Sequence, residues 1–441
     1  MKPAPTVPQP EGSRPRVLLL AAACNPYKGS DFAVGWERAV GAAARFDTWA
    51  VCGHWDQEDI SRYLVEHGEI PGLHFCFLEP WWLEERLKIG RPLYYTHFLP
   101  YHLWHRRAFK VAAHLHREVK FDLVHQVTLV GFREPGYLWK LNVPFIWGPV
   151  GGTQNYPWRF LDLAGPVGAI KESLPNVLNF LQLRFSPRVR RAVRRASCLI
   201  AATSQVQKDF ARVYGLTPPV LLDAGVRAVS NSPLEKGGPD VPLRILWSGK
   251  FIPRKALPLL LKTLGRLPRE VSFELKIVGD GPMGRRWRRL AHSLGLAPHC
   301  QWLGWLSHQE AMKQYDWAHV LVFTSLRDTS GNVVLEALSH GVPVVCLDHQ
   351  GVRDIVTAQC GLKIPVTTPE EVVGHLSKAI HLLARDRERL QALSAGALKR
   401  ARRFLWSRNH EEMAKIYLAA LSGKGALFPG GQPSPDYDKG N

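Results

Sequence analysis

The sequence predicts an α/β protein built of two Rossmann-like β/α/β domains that face a central cleft. Short apolar runs alternate with helical patterns along the whole chain, which is typical of parallel strands joined by helices. The length of 441 residues gives each of two domains room for a full core. A stretch rich in Ser, Gly and Pro at residues 231–240 interrupts the alternation and indicates a linker. Ligands of such sheets bind beyond the carboxyl ends of the strands, so we expect the functional site in the cleft.

The strands are predicted at short apolar runs bounded by turn-forming residues. In the N-terminal half they are 17–22, 47–52, 73–77, 123–126, 145–147 and 198–202. In the C-terminal half they are 244–248, 274–278, 300–303, 320–323 and 344–347. The predicted division is a disordered leader over 1–15, a domain over 16–230, the linker over 231–240, a domain over 241–422 and a disordered tail over 423–441. We also expect the last helix to pack back on the N-terminal domain.

The cysteines, the apolar runs and the net charge limit which classes of protein the chain can belong to. The seven cysteines are odd in number and show no C-x-x-C spacing, which favours reduced thiols in a cytoplasmic protein over a disulfide framework or a zinc site. The sequence contains no run of about eighteen apolar residues, so we expect no transmembrane helix. The net charge of +19 indicates an anionic partner, which could be nucleic acid, a membrane surface or a negatively charged substrate.

The basic charge is clustered along the chain. Within 184–195 there is no acid, and the arginines are Arg184, Arg188, Arg190, Arg191, Arg194 and Arg195. A second basic run lies at 285–289. A solvated helix face would explain both runs. No zinc-finger, RRM or basic-zipper signature accompanies them, so we expect no nucleic-acid partner and favour an anionic membrane surface.

The segment 80–110 mixes aromatic and basic residues. The aromatic residues are Trp81, Trp82, Tyr94, Tyr95, Phe98, Tyr101 and Trp104, and the basic ones are Arg86, Lys88, Arg91, Arg106 and Arg107. Amphipathic rings and cations suit a bilayer interface, so this segment predicts a protein bound peripherally to the inner face of a membrane. The alternative is that the aromatic residues form part of the core.

The most informative segment is 323–343. An apolar strand ends there, a turn containing Gly331 follows, and a helix runs to Gly341. The helix N-terminus offers unpaired N–H groups and a partial positive charge, and glycine lets the backbone approach a bound group. Asp328 and Glu336 bracket this anion site. Acids on both sides of a phosphate site predict a ligand with hydroxyls around a phosphate, which describes a nucleotide sugar.

Two further loops follow strands of the C-terminal half. In the loop 248–255, Lys250 and Lys255 can converge on one diphosphate and neutralise its charge. In the loop 276–282, the glycines, Gly279 among them, allow a tight turn that brings the backbone close to a planar base. Taken singly, the first loop could be a solvated surface loop and the second an ordinary strand-to-helix turn.

Taken together, in this order and at this spacing, the loops resemble the retaining glycosyltransferases of GT-B fold known as glycosyl transferases group 1. Members typically carry a Gly-Arg…Lys-Gly loop, an Ile-Val-Gly-x-Gly-Pro turn, a Gly-x6-Leu segment, and Glu-x7-Glu running into Glu-Ala-x3-Gly-x-Pro. The corresponding residues here are Gly249-Lys250…Lys255-Ala256, residues 277–282, Gly304-Trp305-Leu306-Ser307, and Asp328-x7-Glu336-Ala337 through Pro343. The likeness covers residues 240–366 strongly and the N-terminal half more loosely. Asp328 stands where Glu is commoner, and Lys250 where Arg is usual.

The resemblance implies a role for each matching residue. Glu336 would bind the ribose hydroxyls of the donor, and Asp328 would contact hydroxyls of the transferred sugar. Lys250 and Lys255 would hold the diphosphate. The backbone around Gly331, Asn332 and Val333 would assist these lysines, and the turn at Gly279 would lie against the base. The candidate catalytic residues are His125, Asp328 and Lys255.

The N-terminal half would supply the acceptor side. The segment 25–36 resembles the family's first glycine-containing loop, with Gly29 closing over the donor phosphate and Asp31 in place of a glutamate. Family members also carry a functional histidine near the end of a later strand, and His125 is the candidate. Some members place this histidine where Val127 stands here.

The resemblance implies a retaining hexosyltransferase of polysaccharide or glycolipid biosynthesis, with a nucleoside-diphosphate sugar as donor and a glycan or lipid-linked acceptor. The family is thought to react on one face of the sugar, with the leaving phosphate taking the acceptor's proton. The other retaining route uses a carboxylate nucleophile and a second acid. The same-face route implies no metal and no cofactor besides the donor substrate. The triplet Asp436-Tyr437-Asp438 has the D-x-D pattern of a metal site, but we interpret it as a chance occurrence in the tail.

Two other functions remain open from the sequence. A nucleotide-sugar epimerase on the same two-domain fold would need no acceptor, so the products formed from donor alone separate it from a transferase. A basic, non-enzymatic protein that binds membranes or nucleic acid would explain the net charge, but it would not explain three phosphate-type loops in this order.

Overall fold

The computed structural model describes residues 14–423, except residues 30, 80–97, 128, 130, 234–237 and 239–240. Almost all of the predicted leader and tail, most of the predicted linker, and most of the aromatic residues of the segment 80–110 therefore lie outside the described residues. The triplet 436–438 lies outside them as well.

The first sheet is parallel and built from the N-terminal half. Its strands are β1 (Arg16–Ala21), β2 (Asp47–Gly53), β3 (Leu73–Leu78), β4 (Leu123–Gln126), β5 (Phe145–Val150) and β6 (Cys198–Ala201). They lie in the order β3-β2-β1-β4-β5-β6. Among the described residues of this half, the helices are α1 (Asp31–Ala43), α2 (Gln57–His67), α3 (Phe98–Val119), α4 (Leu161–Phe185), α5 (Pro187–Arg195) and α6 (Ser204–Tyr214).

The second sheet is also parallel and is built from the C-terminal half. Its strands are β7 (Leu243–Ser248), β8 (Phe273–Val278), β9 (Cys300–Gly304), β10 (Val320–Phe323), β11 (Val344–Leu347) and β12 (Gly361–Ile364). They lie in the order β12-β11-β10-β7-β8-β9. The helices are α7 (Leu257–Leu264), α8 (Gly284–Ser293), α9 (His308–Trp317), α10 (Asn332–Ser339), α11 (Gln350–Ile355), α12 (Pro369–Arg385), α13 (Arg387–Ala401) and α14 (Trp406–Leu421).

The predicted α/β fold class is confirmed, and all eleven predicted strands are present with ends within about three residues of the prediction. The central strands read as apolar runs because both of their faces are buried, as in β1, where Val17 to Ala21 are fully buried. The sequence prediction missed β12. This edge strand has four residues, and Gly361 and Lys363 interrupt its apolar character.

Helix starts follow the expected capping chemistry. The Ser307 hydroxyl oxygen accepts a hydrogen bond from the backbone N–H of Glu310, and the Glu310 carboxylate accepts one from the backbone N–H of Ser307, which forms a capping box at α9. Thr368 caps α12 by accepting from the backbone N–H of Glu371. These two glutamates therefore stabilise helix starts.

The last helix, α14, lies against the N-terminal domain. Its residues Trp406, Met413 and Tyr417 share one apolar cluster with Val17 and Ala39. A direct contact also joins the two domains, because the backbone N–H and the Oγ of Ser204 both donate to the Asp354 carboxylate at 2.6 Å. The two sheets are thus held facing each other across the cleft.

The aromatic segment is only partly described. Tyr101 and Trp104 are 8% and 1% exposed and belong to the core, so their assignment to a bilayer interface is wrong. The other aromatic rings of the predicted interface lie outside the side chains that the structure describes. Within the described part of the chain, no helix combines the length and apolar character needed to cross a bilayer.

Candidate active site

The predicted anion site forms where β10 ends and α10 begins. Gly331 precedes the helix with φ 66°, a left-handed conformation that favours glycine. The N–H groups of Asn332 and Val333 lie in the first turn, where an α-helix offers no intrahelical acceptor. Beyond the helix end, Gly341 has φ 69°, which confirms the predicted glycine stop.

An ion pair joins the two candidate catalytic side chains of this half. Lys255 Nζ bonds Asp328 Oδ2, and the Ser325 hydroxyl donates to the same oxygen at 3.3 Å. Burial alone would raise the pKa of Asp328, but the charge and hydrogen bond of Lys255 outweigh burial and hold that pKa below its ordinary value. Asp328 is therefore ionised at neutral pH and can accept hydrogen bonds from hydroxyl groups.

The loop that carries Lys255 is fixed by its neighbours. The Trp247 indole donates to Thr324 Oγ1 at 3.0 Å, and Thr324 Oγ1 donates to the Lys255 carbonyl at 2.8 Å. The Leu326 N–H donates to the Arg254 carbonyl at 2.7 Å. These bonds join the loop after β7 to the loop after β10, so Lys255 and Asp328 are held together by backbone as well as by charge.

Gly279 determines how closely the loops after β7 and β8 approach. Its φ is 124°, and a Cβ added there would lie 2.0 Å from the Gly249 carbonyl oxygen. Lys250 follows in the same loop and is exposed. The glycine is therefore required by the packing of two loops, one of which carries a predicted phosphate ligand.

Replacing Gly279 by alanine should destabilise the fold by about 3 kcal/mol, because the new Cβ meets a backbone atom and the left-handed φ is strained. Gly374→Ala in α12 is the matched control, since a Cβ there meets nothing within 4 Å and alanine favours a helix. Urea denaturation of both variants measures the difference. Equal stability of the two variants would contradict this role of Gly279.

Glu336 lies within α10 and is half-buried. The buried Tyr315 hydroxyl donates to Glu336 Oε2 at 2.9 Å. Burial raises the pKa of Glu336, an effect that the hydrogen bond from Tyr315 partly offsets. One carboxylate oxygen is thus fixed by tyrosine, and the other can accept from a ligand.

Gln350 completes the environment of Asp328, and no pattern in the sequence singles it out. Its side-chain oxygen accepts from the Asp328 backbone N–H at 2.8 Å, and its amide donates to the carbonyls of Leu326 at 3.2 Å and Asn155 at 2.9 Å. The residue has φ 53°, which is uncommon outside glycine and costs free energy. It connects the loop after β10 to the N-terminal domain, and only the assembled domains reveal that position.

A second carboxylate near the anion site was also missed. Asp223 is 5% exposed, and its Oδ1 has no hydrogen-bond partner among the residues that the structure describes. Burial raises the pKa of Asp223 to about 6; a hydrogen bond from Ser330 opposes this shift, and the charge of Asp31 adds to it. Asp31, which belongs to the first loop, thus lies near Asp223. Asp223 is in turn hydrogen-bonded to Ser330, the residue before Gly331.

Asp223→Asn is expected to stabilise the protein at neutral pH by roughly 2 to 3 kcal/mol, because a charged aspartate is costly at this position. The folded state binds the Asp223 proton more tightly than the unfolded state does. Wild-type stability should therefore fall as pH rises from the ordinary aspartate pKa of about 4 to about 6. When unfolding is measured from pH 4 to 8, the stability of the variant should not show this fall. Parallel curves for the two proteins would contradict the assignment.

The first loop is anchored within the N-terminal domain. Gly29 is exposed, and an added Cβ would meet nothing within 4 Å. The neighbouring Lys28 ammonium bonds Asp59 at 2.5 Å and Asp56 at 3.4 Å. These contacts fix the base of the loop to α2 and to the short turn before it, and closure of Gly29 over a phosphate stays a prediction.

The structure does not bring His125 into the cleft. The side chain is fully buried, its Nδ1 lies 2.6 Å from the Tyr417 hydroxyl, and its Nε2 lies 2.6 Å from the Gly148 carbonyl. Burial lowers the pKa of His125 to about 3. With both ring nitrogens engaged and α14 packed over it, this histidine joins β4 to the last helix, which corrects its assignment as a catalytic residue. The alternative position, Val127, is buried as well.

One domain contact lies beside the Lys255–Asp328 pair. The Arg327 guanidinium bonds the Glu172 carboxylate of α4 at 2.5 Å and the Glu172 carbonyl at 3.3 Å. Thr329 Oγ1 approaches the Gln154 side chain at 3.4 Å. The loop that carries Asp328 is thus held between the two domains. Among the described residues, no group of three or more His, Cys, Asp or Glu could hold a metal ion.

Comparison with known proteins gives one family match and many similar folds. Residues 235–400 match the family model described as Glycosyl transferases group 1. The D-inositol 3-phosphate glycosyltransferase of Streptomyces bingchenggensis is 29% identical over 254 residues, which cover 52% of this chain and 54% of that protein. The chain thus spans about half the length of this curated relative.

Solved structures match over nearly the whole chain. Sucrose-phosphate synthase of Thermosynechococcus elongatus has a TM-score of 0.64 at 18% identity and covers 93% of this chain and 100% of its own. The Anabaena protein Alr3699/HepE, solved in complex with UDP-glucose, has a TM-score of 0.57 at 18% identity and covers 92% and 99%. At these identities the likeness establishes the shared two-domain fold.

Proposed function

We propose that the chain, whose residues 235–400 match the family model of the glycosyl transferases group 1, moves a sugar from a nucleoside-diphosphate sugar to a glycan or lipid-linked acceptor with retention of configuration. The observation that carries the proposal is the Lys255–Asp328 ion pair beside the N-terminus of α10. The site brings together a cation, a fixed carboxylate and free N–H groups. This combination suits a sugar diphosphate better than it suits a simple anion.

Each part of the donor has a partner in the proposed site. The diphosphate lies on the N–H groups of Asn332 and Val333, with Lys255 and Lys250 beside it. The transferred sugar meets the Asp328 carboxylate, and the ribose meets the free oxygen of Glu336. The related fold of Alr3699/HepE holds UDP-glucose, which supports this class of donor.

The proposed mechanism depends on positive charge placed where the leaving group develops negative charge. Lys255, Lys250 and the N-terminus of α10 stabilise the departing diphosphate without a proton transfer from the protein. Asp328, held by Lys255, orients the sugar, and the leaving phosphate accepts the acceptor's proton on the same face. These groups supply the charge stabilisation themselves, so we propose a metal-independent hexosyl transfer with no cofactor besides the donor.

A donor screen tests the first half of the proposal. Thermal shift is measured with UDP-, GDP- and ADP-sugars, and one base is expected to raise the melting temperature because a ligand that binds only the folded state stabilises it. Incubation with that donor alone then separates the two enzyme classes. A transferase leaves the sugar unchanged until an acceptor is added, whereas an isomerised sugar would identify an epimerase.

Donor affinity is expected to weaken as pH falls, because Glu336 must be ionised to accept from the ribose and burial raises its pKa. Below that raised pKa the dissociation constant should rise about tenfold per pH unit, the slope expected for one required proton loss. Calorimetric titration of donor into wild type and Glu336→Gln measures this. Glu336→Gln should bind the donor weakly, and its affinity should depend less on pH. If the affinity of the variant fell at low pH as much as that of wild type, the role of Glu336 would be contradicted.

A further inference from the structure

Helix α4 has its polar face directed inward and its apolar face directed outward. The side chains at Val167, Ile170, Leu174, Val177 and Leu181 recur at helical spacing on one face and are 44% to 72% exposed. Phe180 and Phe185 lie beside them and are 53% and 61% exposed. We call these seven residues the outer stripe. A globular helix ordinarily turns such a stripe to the core, so the inversion is informative.

The inward face shows why the helix is oriented this way. Asn176 accepts from the Tyr156 backbone N–H and donates to its carbonyl, both at 2.8 Å. Asn179 donates to the Gln154 carbonyl at 3.1 Å, and Glu172 bonds Arg327. Turning the helix over would leave these polar groups unpaired and break the domain contact. The outer stripe is therefore fixed outward by the inner hydrogen bonds.

Basic side chains adjoin the stripe at its C-terminal end. A groove of about 710 Å³ lies there between the end of α4, α5 and α6. It is lined by Phe185 of the outer stripe and by Arg184, Arg190, Arg194 and Arg212. Arg191 and Arg195 of α5 are exposed, whereas Val189, Ala192 and Val193 are buried. Along α4 and α5 the acids are Asp162 and the ion-paired Glu172. An apolar stripe beside clustered arginines is complementary to acyl chains beside anionic headgroups.

We propose that α4 and α5 form a docking surface for an anionic lipid bilayer. The outer stripe enters the boundary between headgroups and acyl chains, with α4 lying in the plane of the interface. The arginines of the groove and of α5 contact lipid phosphates. This deepens the proposed function, because the inner face of α4 bonds Arg327 next to Asp328 and so places the donor cleft close to the bilayer. Vesicle binding needs no sugar transfer, so the two proposals can fail separately.

Vesicle flotation of the full chain tests the surface. Wild type is expected to float with vesicles of phosphatidylcholine and phosphatidylglycerol and to stay behind with phosphatidylcholine alone. Ile170→Asp combined with Leu174→Asp should weaken binding by at least about tenfold, since two apolar side chains no longer enter the interface. Val65→Asp on α2 is the matched control, because Val65 is 87% exposed outside the stripe, and it should bind as wild type does.

The basic part is tested separately. Arg190→Ala combined with Arg194→Ala should weaken binding to anionic vesicles by about 30-fold, because each cation near such a surface contributes roughly a fivefold factor. Added salt should reduce wild-type binding and affect this variant less. Circular dichroism and donor-induced thermal shift confirm that each variant is folded.

Three results would overturn the proposal. The first is no flotation of wild type with anionic vesicles. The second is a concentration-dependent dimer that Leu174→Asp dissociates, without vesicle binding, since the stripe would then contact a second copy of the chain. The third is unchanged binding by the stripe variants together with complete loss in Trp81→Ser/Trp82→Ser, which would transfer the membrane contact to the segment singled out from the sequence.

Discussion

Lys255→Ala is expected to lower kcat by about 10²- to 10³-fold while the protein stays folded, the range seen when one fixed electrostatic contact to a developing charge is removed. Lys255 is placed to act twice, on the leaving diphosphate and on Asp328. Its loss leaves Asp328 without the cation that lowers its pKa, so sugar orientation suffers as well.

Initial rates at saturating donor measure the effect of Lys255→Ala, with Lys378→Ala, an exposed site on α12, as the matched control. The control should turn over at the wild-type rate. Lys255→Arg keeps the charge on a broader group and should recover part of kcat. Full turnover by Lys255→Ala would remove this residue from the mechanism.

Glu336→Ala is expected to weaken donor binding by about 10²-fold, because a charged acceptor for ribose hydroxyls is lost and the buried Tyr315 hydroxyl loses its partner. Affinity for the nucleoside diphosphate alone should fall by a similar factor, since the contact is to the ribose. That result would distinguish the role of Glu336 from that of Asp328. Replacing Asp328 should weaken the affinity for the sugar-bearing donor and leave the affinity for the nucleoside diphosphate unchanged.

Calorimetry with donor and with nucleoside diphosphate measures both affinities. Glu274→Ala, on an exposed position of β8, is the control and should bind as wild type does. Tyr315→Phe should give a smaller loss, because the carboxylate stays in place and only its orientation is relaxed. Unchanged affinity in Glu336→Ala would contradict the assignment of the ribose site.

The parts of the site that the sequence predicted are those set by local chemistry. A strand, a turn with Gly331 and a helix ending at Gly341 are specified by residues within one short segment, and the structure has them as predicted. The ion pair between Lys255 and Asp328 was not predicted, and it forms because β7 and β10 are neighbouring parallel strands whose carboxyl ends meet at one edge. Turn chemistry therefore predicts the strand, turn and helix of this segment, whereas the roles of its residues come from the family resemblance.

The parts that the sequence did not predict depend on distant segments. His125 lies in β4 near its carboxyl end, but α14, almost 300 residues later, covers it, and the Tyr417 hydroxyl of that helix is hydrogen-bonded to His125 Nδ1. Gln350 reaches Asp328 and the N-terminal domain only when both domains are assembled. For α4, apolar periodicity alone would place the outer stripe in the core. Two asparagines that bond the backbone of residues 154–156 decide the opposite orientation.

The central claim is the transfer of an intact sugar from a nucleoside diphosphate at the Lys255–Asp328 site. The most direct measurement follows a donor labelled in its sugar, chosen by the thermal-shift screen, with glycan and lipid extracts as acceptors. We predict that wild type transfers label to the acceptor with the anomeric configuration of the donor and releases one nucleoside diphosphate per sugar, and that Lys255→Ala does not. Binding of no nucleoside-diphosphate sugar, or equal transfer by Lys255→Ala, would contradict it.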